Sequence, residues 1–245
     1  TSQFAMVPMN LLRGKKAADY SNTGSWSKKA IKEAGKCCDV NVAASSESSN
    51  FTTAPPRSEW QLNPDAAYVH YTPNETIGGV EFHEIPDVGD VPLVADMSST
   101  ILSRPVDVSR YGVIYAGAQK NIGPAGLTIA IVRDDLIGET LPGTPSMFDY
   151  KNHADADSMS NTPPTYAWYL AGLVFQWIKR QGGLEAMAER NQRKAEKLYS
   201  VIDASSFYSN PVATGARSRR NVPFILATPD PVPEFLAQAK THGLV

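Results

Sequence analysis

The feature that most constrains the fold is a pair of short apolar runs, each followed by a charged residue. Residues 91–95 lead into Asp96, and residues 113–116 lead through small residues to Lys120. Short apolar runs with β-branched or aromatic residues and turn residues at their ends predict buried strands. The interval between the two charged residues suits a crossover that returns to a parallel strand. We therefore expect a mostly parallel sheet with Asp96 and Lys120 at its carboxyl edge, where such sheets bind ligands.

Asp96 and Lys120 together have the chemistry that pyridoxal phosphate requires. A lysine forms a Schiff base with the cofactor's aldehyde, and a carboxylate keeps the pyridine nitrogen protonated so that the ring accepts electrons. A partly desolvated lysine also loses its proton more easily. The residues alone fit two other interpretations equally well: an ordinary exposed lysine in a loop, and an aspartate that caps a helix or a turn.

Four sequence blocks carry a resemblance to a known family. They are residues 3–12, Asn74-Glu75-Thr76, residues 96–132 with the core Gly117-Ala-Gln-Lys-Asn121, and Asn161-Thr-Pro-Pro164. In this order, over nearly the whole chain, they resemble the phosphoserine aminotransferases, which depend on pyridoxal phosphate. The resemblance implies an aspartate-aminotransferase-like α/β fold of type I. A three-layer α/β/α large domain would cover residues 1–200, with one antiparallel strand in its sheet, and residues 201–245 would begin a small α+β domain.

The resemblance also implies a reaction. The amino group of L-glutamate would pass to 3-phosphohydroxypyruvate, giving O-phospho-L-serine and 2-oxoglutarate in serine biosynthesis. Two alternatives stay open: another enzyme of the same fold type, such as a cysteine desulfurase, and a non-catalytic fragment that serves as a dimerisation or binding module. Desulfurases usually place a histidine immediately before the lysine, whereas this chain has Gln119.

Roles in the site follow from the resemblance, residue by residue. Lys120 would hold the cofactor and move the proton, and Asp96 would keep the pyridinium charged. Trp26 would stack on the ring, Thr76 would bond its phenolic oxygen, and Gln119 would help to hold the phosphate. From sequence alone, Trp26 also fits a plain core residue.

The phosphate site would be completed by residues from two subunits. Thr1 and Ser2 begin a helix whose first amides would face the phosphate, although they also fit a frayed chain end. Asn161 and Thr162 would reach the phosphate of the neighbouring subunit's cofactor, or else simply cap a helix. The resemblance therefore implies a homodimer with composite sites, and we expect no metal.

Composition narrows the possible partners. A net charge of −2 gives no electrostatic case for nucleic acid or an anionic membrane, and no apolar run could span a bilayer. Two adjacent cysteines, 37 and 38, form no disulfide framework, fit a reducing compartment, and are interpreted as small buried residues. We expect a cytoplasmic protein truncated at both ends. An organellar form stays open, and the family's substrate-binding Arg and His residues would lie outside this chain.

Local patterns also predict the role of two segments and the remaining secondary structure. His70 is interpreted as a satisfied core residue, and the basic run 217–220 is interpreted as a solvated linker. The predicted helices cover residues 1–12, 25–34, 165–180 and 184–202. The predicted strands cover residues 40–43, 67–71, 80–85, 127–132 (antiparallel to its predecessor) and 221–226, and residues 21–24 are predicted as a turn.

Overall fold

A six-stranded sheet forms the centre of the chain. The computed structural model describes residues 2–228 and 232–244. Its strands are β1 (Ala17–Asn22), β2 (Asp39–Ser45), β3 (Val69–Tyr71), β4 (Asn74–Glu75), β5 (Val80–Glu81), β6 (Leu93–Asp96), β7 (Val113–Gly117), β8 (Thr128–Val132), β9 (Tyr208–Ser209) and β10 (Ile225–Leu226). The main sheet has the order β2-β1-β3-β6-β7-β8, and β4–β5 and β9–β10 are two small antiparallel pairs.

Strand directions in the main sheet match the sequence prediction. β2, β1, β3, β6 and β7 pair in parallel, whereas β8 runs antiparallel to β7. The β7–β8 register sets Val113 opposite Val132 and Gly117 opposite Thr128. The prediction of a mostly parallel sheet with one reversed strand is confirmed.

Helices surround the sheet. They are α1 (Gln3–Leu11), α2 (Ser25–Ala34), α3 (Tyr150–Asp155), α4 (Thr165–Arg180), α5 (Gly183–Asp203) and α6 (Val232–Thr241). α4 starts directly after the tandem prolines, which lack the amides that a first helical turn leaves unpaired. Gly182, at φ 98°, adopts the left-handed backbone that separates α4 from α5. Of the helices that the structure describes, none has the length and apolar composition to cross a membrane.

Alternating residues of the central strands feed two separate cores. On one face, Val94, Val113 and Tyr115 pack with apolar side chains of α1 and α2. On the other face, Leu93 and Ile114 pack with side chains that include Trp60, Phe82 and Val88. This period-two alternation buries both faces of the sheet, as expected for parallel strands.

β1 is the main element that the sequence patterns missed. Ser21 and Asn22, which we predicted as part of a turn, are its last two residues. The strand carries a polar residue in its middle, Asp19, which is fully buried. Its carboxylate accepts hydrogen bonds from Asn41 Nδ2 and the Asn63 amide, both at 2.8 Å. Because these partners compensate the burial, a central strand can be polar here, and no apolar run marks it.

The interpretation of residues 217–220 as a solvated linker was wrong for all but Arg219, which is exposed. The Arg217 side chain is only 15% exposed and pairs with Asp203, and Ser218 is fully buried. The half-buried Arg220 donates from Nη1 to Asn191 Oδ1 at 3.0 Å and from Nη2 to Asn121 Oδ1. Arginine side chains can be partly buried when residues far away in the sequence supply their hydrogen-bond partners, even where the local sequence is typical of a polar linker.

Two further expectations have mixed outcomes. Cys37 and Cys38 are free and half-buried rather than buried, and they pack at the margin of the α1–α2 core. The predicted strand over residues 221–226 shrinks to β10, which pairs with β9. The division into domains 1–200 and 201–245 stays a prediction.

Candidate active site

Four of the predicted site residues lie at or beyond the carboxyl ends of the parallel strands. Asp96 is the last residue of β6, and Lys120 lies three residues after the end of β7. Trp26 lies in the first turn of α2, which follows β1, and Thr76 directly follows β4. This edge is where doubly wound sheets bind their ligands, since the strands end there and the chain turns into helices.

Asp96 is buried, and one of its two oxygens is fully engaged. Oδ1 accepts hydrogen bonds from the Ser98 amide at 3.0 Å and from Ser98 Oγ at 2.6 Å, whereas no described residue bonds Oδ2. Ser98 Oγ in turn accepts the Gly117 amide of β7 at 3.1 Å, which ties the carboxylate to the neighbouring strand. Burial raises the pKa of Asp96, and the Ser98 hydrogen bonds and the charge of Lys120 oppose this shift.

The amine of Lys120 is held by a hydroxyl and an aromatic ring. Nζ donates to Thr76 Oγ1 at 2.6 Å and lies 4.7 Å from the centroid of the Trp26 ring. Partial burial lowers the pKa of Lys120, while the negative charges of Asp96 and Glu75 raise it. The structure therefore brings Lys120, Thr76 and Trp26 into one cluster, and their roles in the site stay predictions.

Glu75 fixes the helix that carries Trp26. Its Oε2 accepts the Trp26 amide at 2.9 Å, and its Oε1 accepts the Ser27 amide at 2.8 Å and Ser27 Oγ at 2.7 Å. The first amides of a helix have no partners within the helix, and Glu75 supplies them from 49 residues away. A Cβ at Gly24 would lie 2.7 Å from Glu75 Cδ, so only glycine leaves room for this carboxylate.

Of the residues predicted for the phosphate, Ser2, Asn161 and Thr162 line a cavity separate from this cluster, whereas Gln119 directly precedes Lys120 in the chain. Gln119 is exposed and folds back over Gly117. Ser2 precedes α1 without a side-chain cap, and it lines a cavity of about 570 Å³ together with Asn161 and Thr162. Thr1 lies outside the described residues. Neither Lys120 nor Asp96 lines this cavity.

His70 is a buried core residue, as expected, but it is only partly satisfied: its Nδ1 is buried and has no hydrogen-bond partner among the described residues. It is 1% exposed, and its Nε2 lies 2.8 Å from the hydroxyl of Tyr115. Burial lowers the pKa of His70 to about 3, so the ring is neutral at physiological pH. It stacks on Tyr20 with 4.8 Å between the ring centroids, beneath the sheet edge that carries the site.

The residues present fit pyridoxal phosphate. Asp96 Oδ2 is an acceptor without a partner among the described residues, on a residue that is 6% exposed, and it would suit a pyridinium N–H. A lysine with a lowered pKa suits covalent attachment, and the Trp26 indole gives a flat surface beside it.

Sequence reasoning missed Ser98 and Ser27, which orient the named residues. A signal for Ser98 was available: an aspartate followed two residues later by serine is typical of a turn in which the carboxylate accepts that residue's amide. Asp107 and Ser109 form the same turn elsewhere in the chain. Ser27 left no comparable signal, since its main partner is the distant Glu75.

Comparison with known proteins agrees with this geometry. The sequence model of the Aminotransferase class-V family matches residues 1–242. A phosphoserine aminotransferase of Laribacter hongkongensis is 64% identical over 245 residues, which are the whole of this chain and 68% of that protein. One of Hahella chejuensis is 62% identical over 244 residues, again with 68% of its length covered.

Solved structures extend the likeness to three dimensions. The phosphoserine aminotransferase from Bacillus circulans subsp. alkalophilus superposes with a TM-score of 0.96 at 46% identity, over 99% of this chain and 67% of that one. This confirms the predicted fold type. By sequence and by structure, the chain belongs to the class-V aminotransferase family and, within it, to the phosphoserine aminotransferases.

Proposed function

We propose that this chain carries the cofactor-binding half of a pyridoxal phosphate-dependent phosphoserine aminotransferase, acting on L-glutamate and 3-phosphohydroxypyruvate in serine biosynthesis. The observation that carries the proposal is the cluster of Lys120, Thr76 and Trp26 beside the buried Asp96 at one sheet edge. A phosphoserine aminotransferase from Trichomonas vaginalis, described as bound to pyridoxal phosphate, matches this chain with a TM-score of 0.92 at 38% identity. When bound, the cofactor supplies an electron sink for the electrons of a broken Cα–H bond.

Each residue of the cluster has a separate task. Lys120 is the point of covalent attachment, and its amine would take a proton from the substrate Cα and return one. Partial burial lowers the pKa of Lys120, which favours the neutral amine relative to an ordinary lysine. Asp96 would hold a proton on the pyridine nitrogen through Oδ2, which has no partner among the described residues. Trp26 would stack on the ring, and Thr76 would bond the phenolic oxygen.

The phosphate would be held by polar groups from two subunits. Gln119, Ser2 and Thr1 serve within a chain, whereas Asn161 and Thr162 reach the partner's cofactor in a homodimer. Two features support a dimer: Asn161 and Thr162 are exposed, and α4 directly after them presents exposed aromatic side chains, such as Tyr166 (72% exposed) and Trp177 (42%). An exposed apolar helix face is typical of an interface.

The free Cys37 and Cys38 fit a reducing compartment, and we propose that the protein is located in the cytoplasm.

Product analysis of the intact protein tests the proposal. With pyridoxal phosphate, L-glutamate and 3-phosphohydroxypyruvate, we expect equal amounts of O-phospho-L-serine and 2-oxoglutarate. Lys120→Ala should abolish the transfer, whereas Lys151→Ala, which removes an exposed lysine paired with Asp155 on α3, should leave it unchanged. Release of sulfide from L-cysteine without amino transfer would instead assign a desulfurase, and absence of both activities in cofactor-loaded protein would contradict an enzymatic role.

A further inference from the structure

We propose that Glu75 is a positioning residue of this site: it holds Trp26 through the first turn of α2 and places a fixed negative charge near Lys120. The residues on either side of Glu75 contact two other segments of the site. Asn74 Nδ2 donates to Ser99 Oγ at 2.9 Å, three residues beyond Asp96, and Thr76 accepts from Lys120 Nζ at 2.6 Å. Three consecutive residues thus contact the segments that carry Asp96, Trp26 and Lys120.

The way α2 is capped shows that this contact is specific. A helix is usually capped by a Ser, Thr, Asp or Asn side chain at the residue before it, but Gly24 has none. Glu75 takes over this task from a different part of the chain, with both carboxylate oxygens engaged and only 1% of the residue exposed. A negative charge at this place is also favoured by the dipole of α2.

Charge and geometry are coupled through this one side chain. The carboxylate fixes the backbone amide of Trp26, whose ring lies 4.7 Å from Lys120 Nζ. Glu75 and Asp96 are the two negative charges that raise the pKa of Lys120 against the effect of burial. The other cation at the Trp26 ring is Lys29, whose Nζ lies 4.4 Å from the ring centroid. Glu75 therefore affects both the orientation of the ring and the ionisation of the attachment lysine.

Two substitutions in the intact protein separate these effects. Glu75→Gln keeps the length of the side chain but removes the charge and replaces one acceptor oxygen by an NH2 donor, so it also weakens the cap. The pH profile of Lys120 acylation in the cofactor-free protein should move to lower pH. Glu75→Asp keeps the charge but is too short to reach both amides. Hydrogen exchange at the start of α2 should then accelerate roughly tenfold or more, as expected for losing a hydrogen bond to a charged group, while the Lys120 profile stays close to that of the wild type.

Glu84→Gln is the matched control, because Glu84 is exposed and nearby on the chain. It should change neither measurement. If Glu75→Gln does not fold, Ser27→Ala removes one donor to Oε1 without changing the charge. Because Ser27 Oγ also accepts the Thr23 and Gly24 amides, exchange is measured at the amides of residues 26 and 27, whose hydrogen bonds Glu75 accepts, and it should still accelerate there. An unchanged Lys120 profile in Glu75→Gln, or unchanged exchange in Glu75→Asp and Ser27→Ala, would overturn the inference.

Only the consequence for the cofactor rests on the proposed function. Pyridoxal phosphate should dissociate from the Gln and Asp variants of Glu75 roughly tenfold faster than from the wild type. If the wild-type protein fails to bind the cofactor, the proposed function fails, and the acylation and exchange measurements still decide the role of Glu75. If the wild type loads and both variants release the cofactor at its rate, Glu75 does not position the site.

Discussion

Replacement of Asp96 by Asn should stabilise the cofactor-free protein while it disables the enzyme. Asparagine keeps an oxygen that can accept both Ser98 hydrogen bonds, so the local geometry survives. What disappears is a buried negative charge whose second oxygen has no partner among the described residues. Relief of such strain at a functional position typically contributes about 0.5–2 kcal/mol, and about 2–4 °C per kcal/mol is expected for a chain of this size.

The pH dependence gives this prediction its sign. Burial raises the pKa of Asp96 above its ordinary value of 3.8, so the native state holds this proton more tightly than the unfolded state does. The stability contributed by the protonated group is complete below the unfolded pKa and is lost as the pH rises through the folded pKa. The advantage of Asp96→Asn should therefore be small in acid and largest at neutral pH.

Thermal unfolding of the cofactor-free protein at several pH values measures this advantage, and amino transfer by the loaded protein measures the cost. We expect turnover to fall roughly a hundredfold or more, as when a positioned electrostatic group is removed, with some cofactor retained. A variant that is less stable at neutral pH, or that turns over at nearly the wild-type rate, would refute the assignment of Asp96 as a buried charge kept for the cofactor.

Two further substitutions probe the surroundings of the site. Gly24→Ala should destabilise the protein by about 1–3 kcal/mol in urea unfolding, because the added Cβ displaces the buried Glu75. Gly172→Ala, within α4 where a Cβ meets nothing within 4 Å, is the uncrowded control and should stabilise by about 0.5–1 kcal/mol, since Ala favours a helix over Gly; destabilisation of both variants to the same extent would argue against crowding at Gly24. Joint replacement of Asn161 and Thr162 by Ala should weaken cofactor retention, and cofactor removal should loosen the dimer because the linkage is reciprocal. Sedimentation that shows a monomer with tightly bound cofactor would contradict the composite site.

The strands that end near Asp96 and Lys120 could be predicted from the sequence because they depend on local patterns, whereas the chemistry of these two residues was assigned by resemblance. The apolar runs before Asp96 and Lys120 predict buried strands, and the link between β7 and β8 predicts the antiparallel pair that the structure shows. The start of α4 was likewise predicted by the prolines before it, and the boundary between α4 and α5 by the two glycines there. In these elements, local periodicity and turn residues agree with the tertiary structure.

Contacts between distant segments were not readable in this way. β1 escaped detection because its buried Asp19 is compensated by Asn41 and Asn63, which no local pattern reveals. Glu75 caps α2 although it lies far from this helix in the sequence. The partial burial of Arg217 likewise depends on its salt bridge with Asp203. The roles of Asn161 and Thr162 stay predictions, since they depend on a second subunit.

The central claim is that Lys120 is the residue to which pyridoxal phosphate is attached, and reduction of the loaded protein tests it most directly. Borohydride fixes the cofactor on its lysine, and intact mass followed by peptide mapping locates it. We predict a single pyridoxyl group per chain, on Lys120 within the Gly117–Asn121 peptide. A pyridoxyl group on any other lysine, such as Lys151, would contradict the account.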